Sequence, residues 1–250
     1  MKLMAMMLVL ALALSGRSVA VEYPPLPRPY PKAAAVPVPA PVLPRPSDTP
    51  PISENETETE AEEPDRIYRT ACPAVLQGLV MAEAVPAISD GACGLRSPYR
   101  VTGVSIGGRA VGFSGAAVVN CQMAGELAAW LARVDTYVQS VFRSGLATVK
   151  TGPGYMCRGR NRVVGADISE HGFGNALDVM GFVLADGTEI GLPGDWSGDD
   201  FAARTMQLAH DTACGHFTTV LGPETNALHA DHLHLDLGCH GQSCTYQLCE

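Results

Sequence analysis

The residues best equipped for chemistry lie in two short segments. One reads Ser169-Glu170-His171-Gly172-Phe173-Gly174-Asn175-Ala176-Leu177-Asp178, the other His229-Ala230-Asp231-His232-Leu233-His234. Together they hold four of the seven His in the chain. Side chains along an extended strand alternate between faces, so His232 and His234 share one face while Leu233 and Leu235 take the other. A strand needs that alternation, but it does not need imidazole at both polar positions. In the first segment Gly172 and Gly174 permit a tight bend, which brings His171 on a loop toward Asp178 on a strand. Two His and one carboxylate with an open fourth position form the ligand set of a catalytic zinc site. The remaining His210, His216 and His240 stand alone and read as ordinary structural or surface side chains.

Periodicity predicts the elements that position these segments. Ala74 to Ala84 has a helical apolar pattern, opened by Pro73 and closed before Pro86. Tyr99 to Ile106 and Ala110 to Phe113 flank Gly107-Gly108 as a hairpin. Asn120 is a plausible N-cap for the longest helix, running to about Phe142, with Leu127, Leu131, Val134 and Val138 on its apolar face. Leu146 to Val149 and Tyr155 to Arg158 read as strands. Ala176 to Leu184 and Thr188 to Leu192 are strands joined through Asp186-Gly187, a strong turn signal. Asp199 to Cys214 reads as a helix, and Phe217 to Leu221 and His232 to Leu237 as strands. This order predicts an α+β fold with helices packed on a mostly antiparallel sheet.

These elements occupy only part of the 250 residues. Lys2 followed by the apolar run Leu3 to Leu14 and a small-residue end at Ser18-Val19-Ala20 reads as a secretory signal peptide over residues 1–20. Residues 21–66 contain 12 of the 19 Pro between Pro24 and Pro51 and another at Pro64, with nine acidic side chains against four basic ones over the whole stretch. Such a segment reads as a disordered spacer, extended in its Pro-rich part and self-repelling in its acidic part. Residues 67–250 remain for one folded domain. The net charge of −9 and the lack of a basic stripe argue against nucleic acid as a partner. All eight Cys (72, 93, 121, 157, 214, 239, 244 and 249) fall in this last part, without a CxxC pair. In an exported chain they read as disulfides bracing the domain, with the C-terminal group tying down the tail.

The SxHxxGxAxD segment followed by an HxH strand resembles the LAS-type zinc peptidases, which include D-alanyl-D-alanine carboxypeptidases and murein endopeptidases. More closely, the stretch from about Cys72 to Cys249 resembles the extensin-like C-terminal domain of bacterial proteins. Cys93-Gly94, Tyr155-Met156-Cys157-Arg158, Ser169-Glu170-His171, Gly174-Asn175-Ala176, Val220-Leu221-Gly222-Pro223 and His229 to His234 carry that resemblance. It implies an LAS-type peptidase core with His171, Asp178 and His234 as zinc ligands. His232 would sit beside the metal and stabilise charge in the transition state, and Arg158 would polarise the scissile carbonyl. Asp231 and His229 are both candidates for the general base, with a carboxylate the simpler choice. Asp231 has an alternative role in orienting a His ring, and Ser169 in hydrogen-bonding the loop that presents His171.

The expected function is that of an exported, monomeric zinc metallopeptidase cleaving amide bonds in peptidoglycan stem peptides or their cross-links. It would work in the periplasm or outside the cell, with no membrane contact beyond the leader. A non-catalytic zinc- or wall-peptide-binding module on the same fold is the main rival. A disulfide-rich structural protein with an incidental His cluster is the third reading.

Overall fold

The computed structural model describes residues 71–163 and 165–250. The expected leader (1–20) and spacer (21–66) therefore lie outside the described residues. Pro73 opens a single helical turn, α1 (Pro73–Leu76). The expected helix to Ala84 does not continue: Gly78 takes a left-handed φ of 69° and the chain turns into strand β1 (Val80–Ala84). Local apolar spacing favoured a helix here, but pairing of Val80 opposite Val104 in the sheet overrides it. A small separate ribbon follows, β2 (Ile88–Asp90) with β3 (Cys93–Leu95).

The Gly107-Gly108 hairpin forms as expected, between β4 (Tyr99–Ile106) and β5 (Arg109–Val119), the second strand running six residues further than its apolar pattern. Helix α2 (Cys121–Phe142) begins where the Asn120 side chain accepts a hydrogen bond from the Met123 amide at 2.7 Å. That contact satisfies one of the unpaired N–H groups at a helix start. Its buried stripe includes Leu127, Trp130, Leu131, Val134 and Val138. Strand β6 (Leu146–Thr151) leads through a loop to β7 (Ala176–Leu184) and β8 (Glu189–Gly191). Helix α3 (Phe201–Ala213) is capped by Asp200, and the chain ends with β9 (Thr219–Leu221), β10 (Leu233–Asp236) and β11 (Leu248–Cys249).

Among the described residues nine strands form one sheet in the order β1-β4-β5-β6-β7-β10-β9-β11, with β8 also paired to β7. Most pairs are antiparallel; β5 with β6 and β9 with β11 are parallel. The fold is therefore α+β with a mixed, mostly antiparallel sheet. Helix α2 packs against β1, β4, β6 and α3, and the core centres on Trp130 between Phe182 and Phe217, with its indole N–H donating to the Ala209 carbonyl at 2.9 Å. None of the helices among the described residues is long and apolar enough to cross a membrane.

Four disulfides brace this frame: Cys72–Cys121, Cys93–Cys157, Cys214–Cys249 and Cys239–Cys244. The last two secure the C-terminal tail, one within its loop and one to the end of α3. Tyr155 to Arg158 is not a strand. The stretch is irregular, followed by an isolated bridge between Gly159 and Ile168, and its start packs too closely on β5 for regular pairing. A Cβ at Gly154 would lie 2.5 Å from the Val118 carbonyl oxygen.

Candidate metal centre and its cleft

Register brings the two motif segments together. Strands β7 and β10 are antiparallel neighbours, and Asp178 stands directly opposite His234. Directly opposed residues place their side chains on the same face within contact distance. On the other face Leu177, Val179, Leu233 and Leu235 are fully buried in the core. Alternation thus drives the apolar side chains inward and leaves the polar pair on the side that carries the cleft.

His171 reaches the same point from a 3-10 turn (Glu170–Phe173) just before β7. Gly174 ends this turn with φ 59°, where any side chain would also run into Leu95 and the backbone at Val119 and Asn120. Only glycine suits that combination. The turn is tied to the start of α2, since the Asn120 amide donates to the Gly174 carbonyl at 2.7 Å and the Asn120 side chain donates to Asn175 at 2.8 Å. Ser169 does not hold the turn through its hydroxyl; its backbone carbonyl accepts from Gly172 instead.

The resulting triad is compact. His171 Nε2 lies 3.2 Å from Asp178 Oδ1 and 3.3 Å from His234 Nδ1, and His234 Nδ1 lies 3.0 Å from the same carboxylate oxygen. One ligand atom from each of His171, Asp178 and His234 falls within 4.8 Å of the others. The outer nitrogens are occupied. His171 Nδ1 donates to the Gly154 carbonyl at 2.7 Å, and His234 Nε2 donates to Asp236 Oδ2 at 3.0 Å. That leaves His171 Nε2 and His234 Nδ1 as the inward lone pairs. Two imidazoles oriented by outer acceptors beside one carboxylate fit a zinc ion with a position left for a further ligand.

Electrostatics agree with that reading. Burial would raise the Asp178 carboxyl, but the hydrogen bonds from His171 and His234 outweigh it and hold the group far below the usual carboxylate range. Burial would lower His234, yet its bonds to Asp178 and Asp236 push it up to about 9. Without a cation, a proton on His234 balances the two carboxylates. Asp236 is itself buried and held below the usual range by His234, its other oxygen taking the Gly238 amide at 2.8 Å.

The remaining motif residues surround the triad. His232 Nε2 lies 3.7 Å from Asp178 Oδ1, and its Nδ1 donates to Asp231 at 2.8 Å. Asp231 is solvent-exposed, and its carboxylate is the acceptor of that His232 Nδ1 bond. His229 is buried, with its ring centre 5.3 Å from His232 and 5.9 Å from His234, and Nδ1 on Asn226. Burial first, then the charges of His234 and His232, lower it to about 4, with Arg158 adding to the effect. Arg158 lines the cleft, and its Nε is buried with no hydrogen-bond partner among the described residues.

Asp178, His229, His232, His234 and Asp236 line one cleft of about 300 Å³, whose wall also includes Arg158, Arg160, Arg162, Thr219, His240 and Leu248. His240, expected to be isolated, donates to or accepts from the Thr219 hydroxyl at 2.6 Å within this wall. His210 and His216 stay outside it: His216 pairs with Glu126, and His210 sits against Trp196 near the Cys214–Cys249 bridge, whose sulfurs are committed to each other. Sequence reasoning missed Asp236, although strand alternation puts it on the face of His232 and His234. It also missed Gly154, which carries no chemical signal because its backbone carbonyl does the work.

No curated protein and no solved structure matches the sequence. The family model for the extensin-like protein C-terminus matches residues 70–250, a span that includes every element and every site residue described above. The chain belongs to the extensin-like C-terminal family.

Proposed function

We propose that this protein is an exported zinc-dependent metallopeptidase of the D-alanyl-D-alanine carboxypeptidase and murein endopeptidase type, cleaving amide bonds in peptidoglycan stem peptides or their cross-links. The observation that carries the reading is the triad His171, Asp178 and His234, with its outer nitrogens already held by Gly154 and Asp236, at the floor of an open cleft. Both rings turn the nitrogen not held by Gly154 or Asp236 toward the Asp178 carboxylate, so that a cation can take the place of the proton on His234. When bound there, zinc supplies Lewis acidity that polarises a carbonyl and makes water acidic near neutral pH.

This chain's residues supply the rest. His232 presents Nε2 to the triad while Asp231 takes its Nδ1–H, so the free nitrogen is the one that accepts a proton from the attacking water and returns it to the leaving amine. His229, lowered to about 4, is neutral at pH 7 and a weak acceptor; it packs against the rings of His232 and His234. Arg158 offers a fixed positive charge to the oxygen on which negative charge develops, and its buried, unpartnered Nε gains an acceptor there. The spacer and the disulfides suit a substrate outside the cytoplasm.

The test is incubation of muropeptides with wild type, His234→Ala and Asp231→Ala, each with and without chelator. Wild type releases new fragments, chelator and His234→Ala abolish them, and Asp231→Ala slows release about tenfold to a hundredfold through loss of His232 orientation. Fragments that persist with His234→Ala rule the site out, and metal-dependent binding without cleavage supports a wall-peptide-binding module instead.

A further inference from the structure

The arginine wall of the cleft has more positive charge than the proposed reaction uses. Residues 158–163 and 165–168 belong to a loop that contains a 3-10 turn at Arg160–Arg162. It is closed at its base by the Gly159–Ile168 bridge, by the Arg160 amide on the Asp167 carbonyl at 2.8 Å and by the Ser169 amide on the Arg158 carbonyl at 3.0 Å. The disulfide Cys93–Cys157 anchors the residue just before it. At its turn, Asn161 and Arg162 both adopt left-handed backbone, with φ 53° and 58°. Neither is glycine, the residue that takes such backbone at no steric cost. That unfavourable turn sets Arg160, Asn161 and Arg162 together on the cleft.

The acids that face this wall are already engaged. Asp178 belongs to the triad, Asp236 is bonded to His234, and Glu170 accepts from the Asn175 side chain at 2.8 Å while lying 3.9 Å from Arg160. Among the described residues Arg162 has no hydrogen bond or ion pair to its side chain, although it lines both the main cleft and an adjoining hollow with Arg158. A chain of net charge −9 thus concentrates unpaired guanidinium groups at one place, beside its candidate catalytic residues. A planar fork of donors matches a carboxylate, the anion that a stem peptide carries.

We propose that Arg162, with Arg160 beside it, binds a carboxylate of the substrate peptide and so makes the enzyme select peptides with a free carboxylate near the scissile bond. This deepens the peptidase reading and rests on it for turnover, though not for binding. The carboxylate has two possible sources: the C-terminal α-carboxylate of the peptide, or the side-chain carboxylate of an acidic or diamino-acid residue within it. The first makes the enzyme a carboxypeptidase, the second permits cleavage within cross-links.

The experiment titrates the full-length, zinc-loaded protein with three versions of one synthetic stem pentapeptide: the free acid, the C-terminal amide, and the side-chain amide. Binding is read by calorimetry, and kcat and KM where turnover occurs. The amide that removes the recognised carboxylate binds about tenfold to a hundredfold more weakly than the free acid. Arg162→Ala erases that difference, acting on KM and Kd more than on kcat, while Arg162→Lys restores part of it. Both arginines are solvent-exposed, so the variants keep the fold. Equal binding of all three peptides, equal loss with Arg162→Ala for acid and amides, or no binding of any of them overturns the proposal. Discriminating binding without cleavage leaves it standing and overturns only the peptidase reading.

Discussion

Asp236 offers the sharpest test of how the triad is held, through Asp236→Asn. In wild type one carboxylate oxygen accepts from His234 Nε2 at 3.0 Å and the other from the Gly238 amide at 2.8 Å, with the side chain buried. Both contacts need an acceptor. An asparagine has one oxygen and one NH2, so it satisfies only one of them. If its oxygen keeps Gly238, its NH2 faces His234 Nε2, and the favoured tautomer moves the ring proton to Nδ1, the nitrogen that faces the metal. If its oxygen keeps His234, a buried Gly238 N–H loses its partner, which costs about 1–3 kcal/mol. Either way the metal site loses its preset donor. Removal of such an outer partner costs about tenfold to a hundredfold in metal affinity, or about 1.4–2.8 kcal/mol. Competition with a chromophoric chelator measures the zinc Kd, and long-range 15N NMR, recorded above the pH of about 9 at which the metal-free ring loses its extra proton, reads the His234 tautomer. A zinc Kd within about twofold of wild type, with Nε2 still protonated, refutes the reasoning.

Three more predictions follow from the same geometry. With His234 raised to about 9 in the metal-free protein, that ring is protonated at pH 7 and zinc must displace the proton; calorimetry in buffers of different ionisation enthalpy should show about one proton released. Apparent affinity should therefore rise roughly tenfold per pH unit from 7 toward 9 and flatten above it. Gly174→Ala forces a side chain into left-handed backbone against Leu95 and the start of α2, so it should lower stability by about 1–3 kcal/mol in urea unfolding and weaken zinc binding by shifting His171. Asp135→Ala removes the buried acceptor of the Leu146 amide at 2.8 Å and the partner of Arg109. It should destabilise by about 1–3 kcal/mol without altering zinc affinity, because α2 and β6 carry it well away from the triad.

Legibility varied with how local the deciding force was. The hairpin at Gly107-Gly108, the capped helix from Asn120 and the strand from Ala176 to Leu184 were readable because turn chemistry, a cap and apolar spacing act within a few residues. The helix expected over 74–84 and the strand expected over 155–158 were not. The first gives way to β1, whose hydrogen bonds go to a strand some twenty residues later, and the second to close packing of Gly154 on β5.

The sequence by itself determined the two imidazoles and the carboxylate of the triad, the glycines that allow His171 its tight turn, and the alternation that sends His232 and His234 to one face. It also determined that eight cysteines in the folded part would close on one another. Tertiary structure alone decided that Asp178 stands opposite His234, because register is a property of two strands and not of either. It decided that Asp236 and the Gly154 carbonyl hold the outer nitrogens, and that Asp231 serves His232. It also gathered Arg158, Arg160 and Arg162 along one wall. Each of these depends on groups brought within hydrogen-bond reach by the packing of distant elements, a distance that spacing along the chain does not encode.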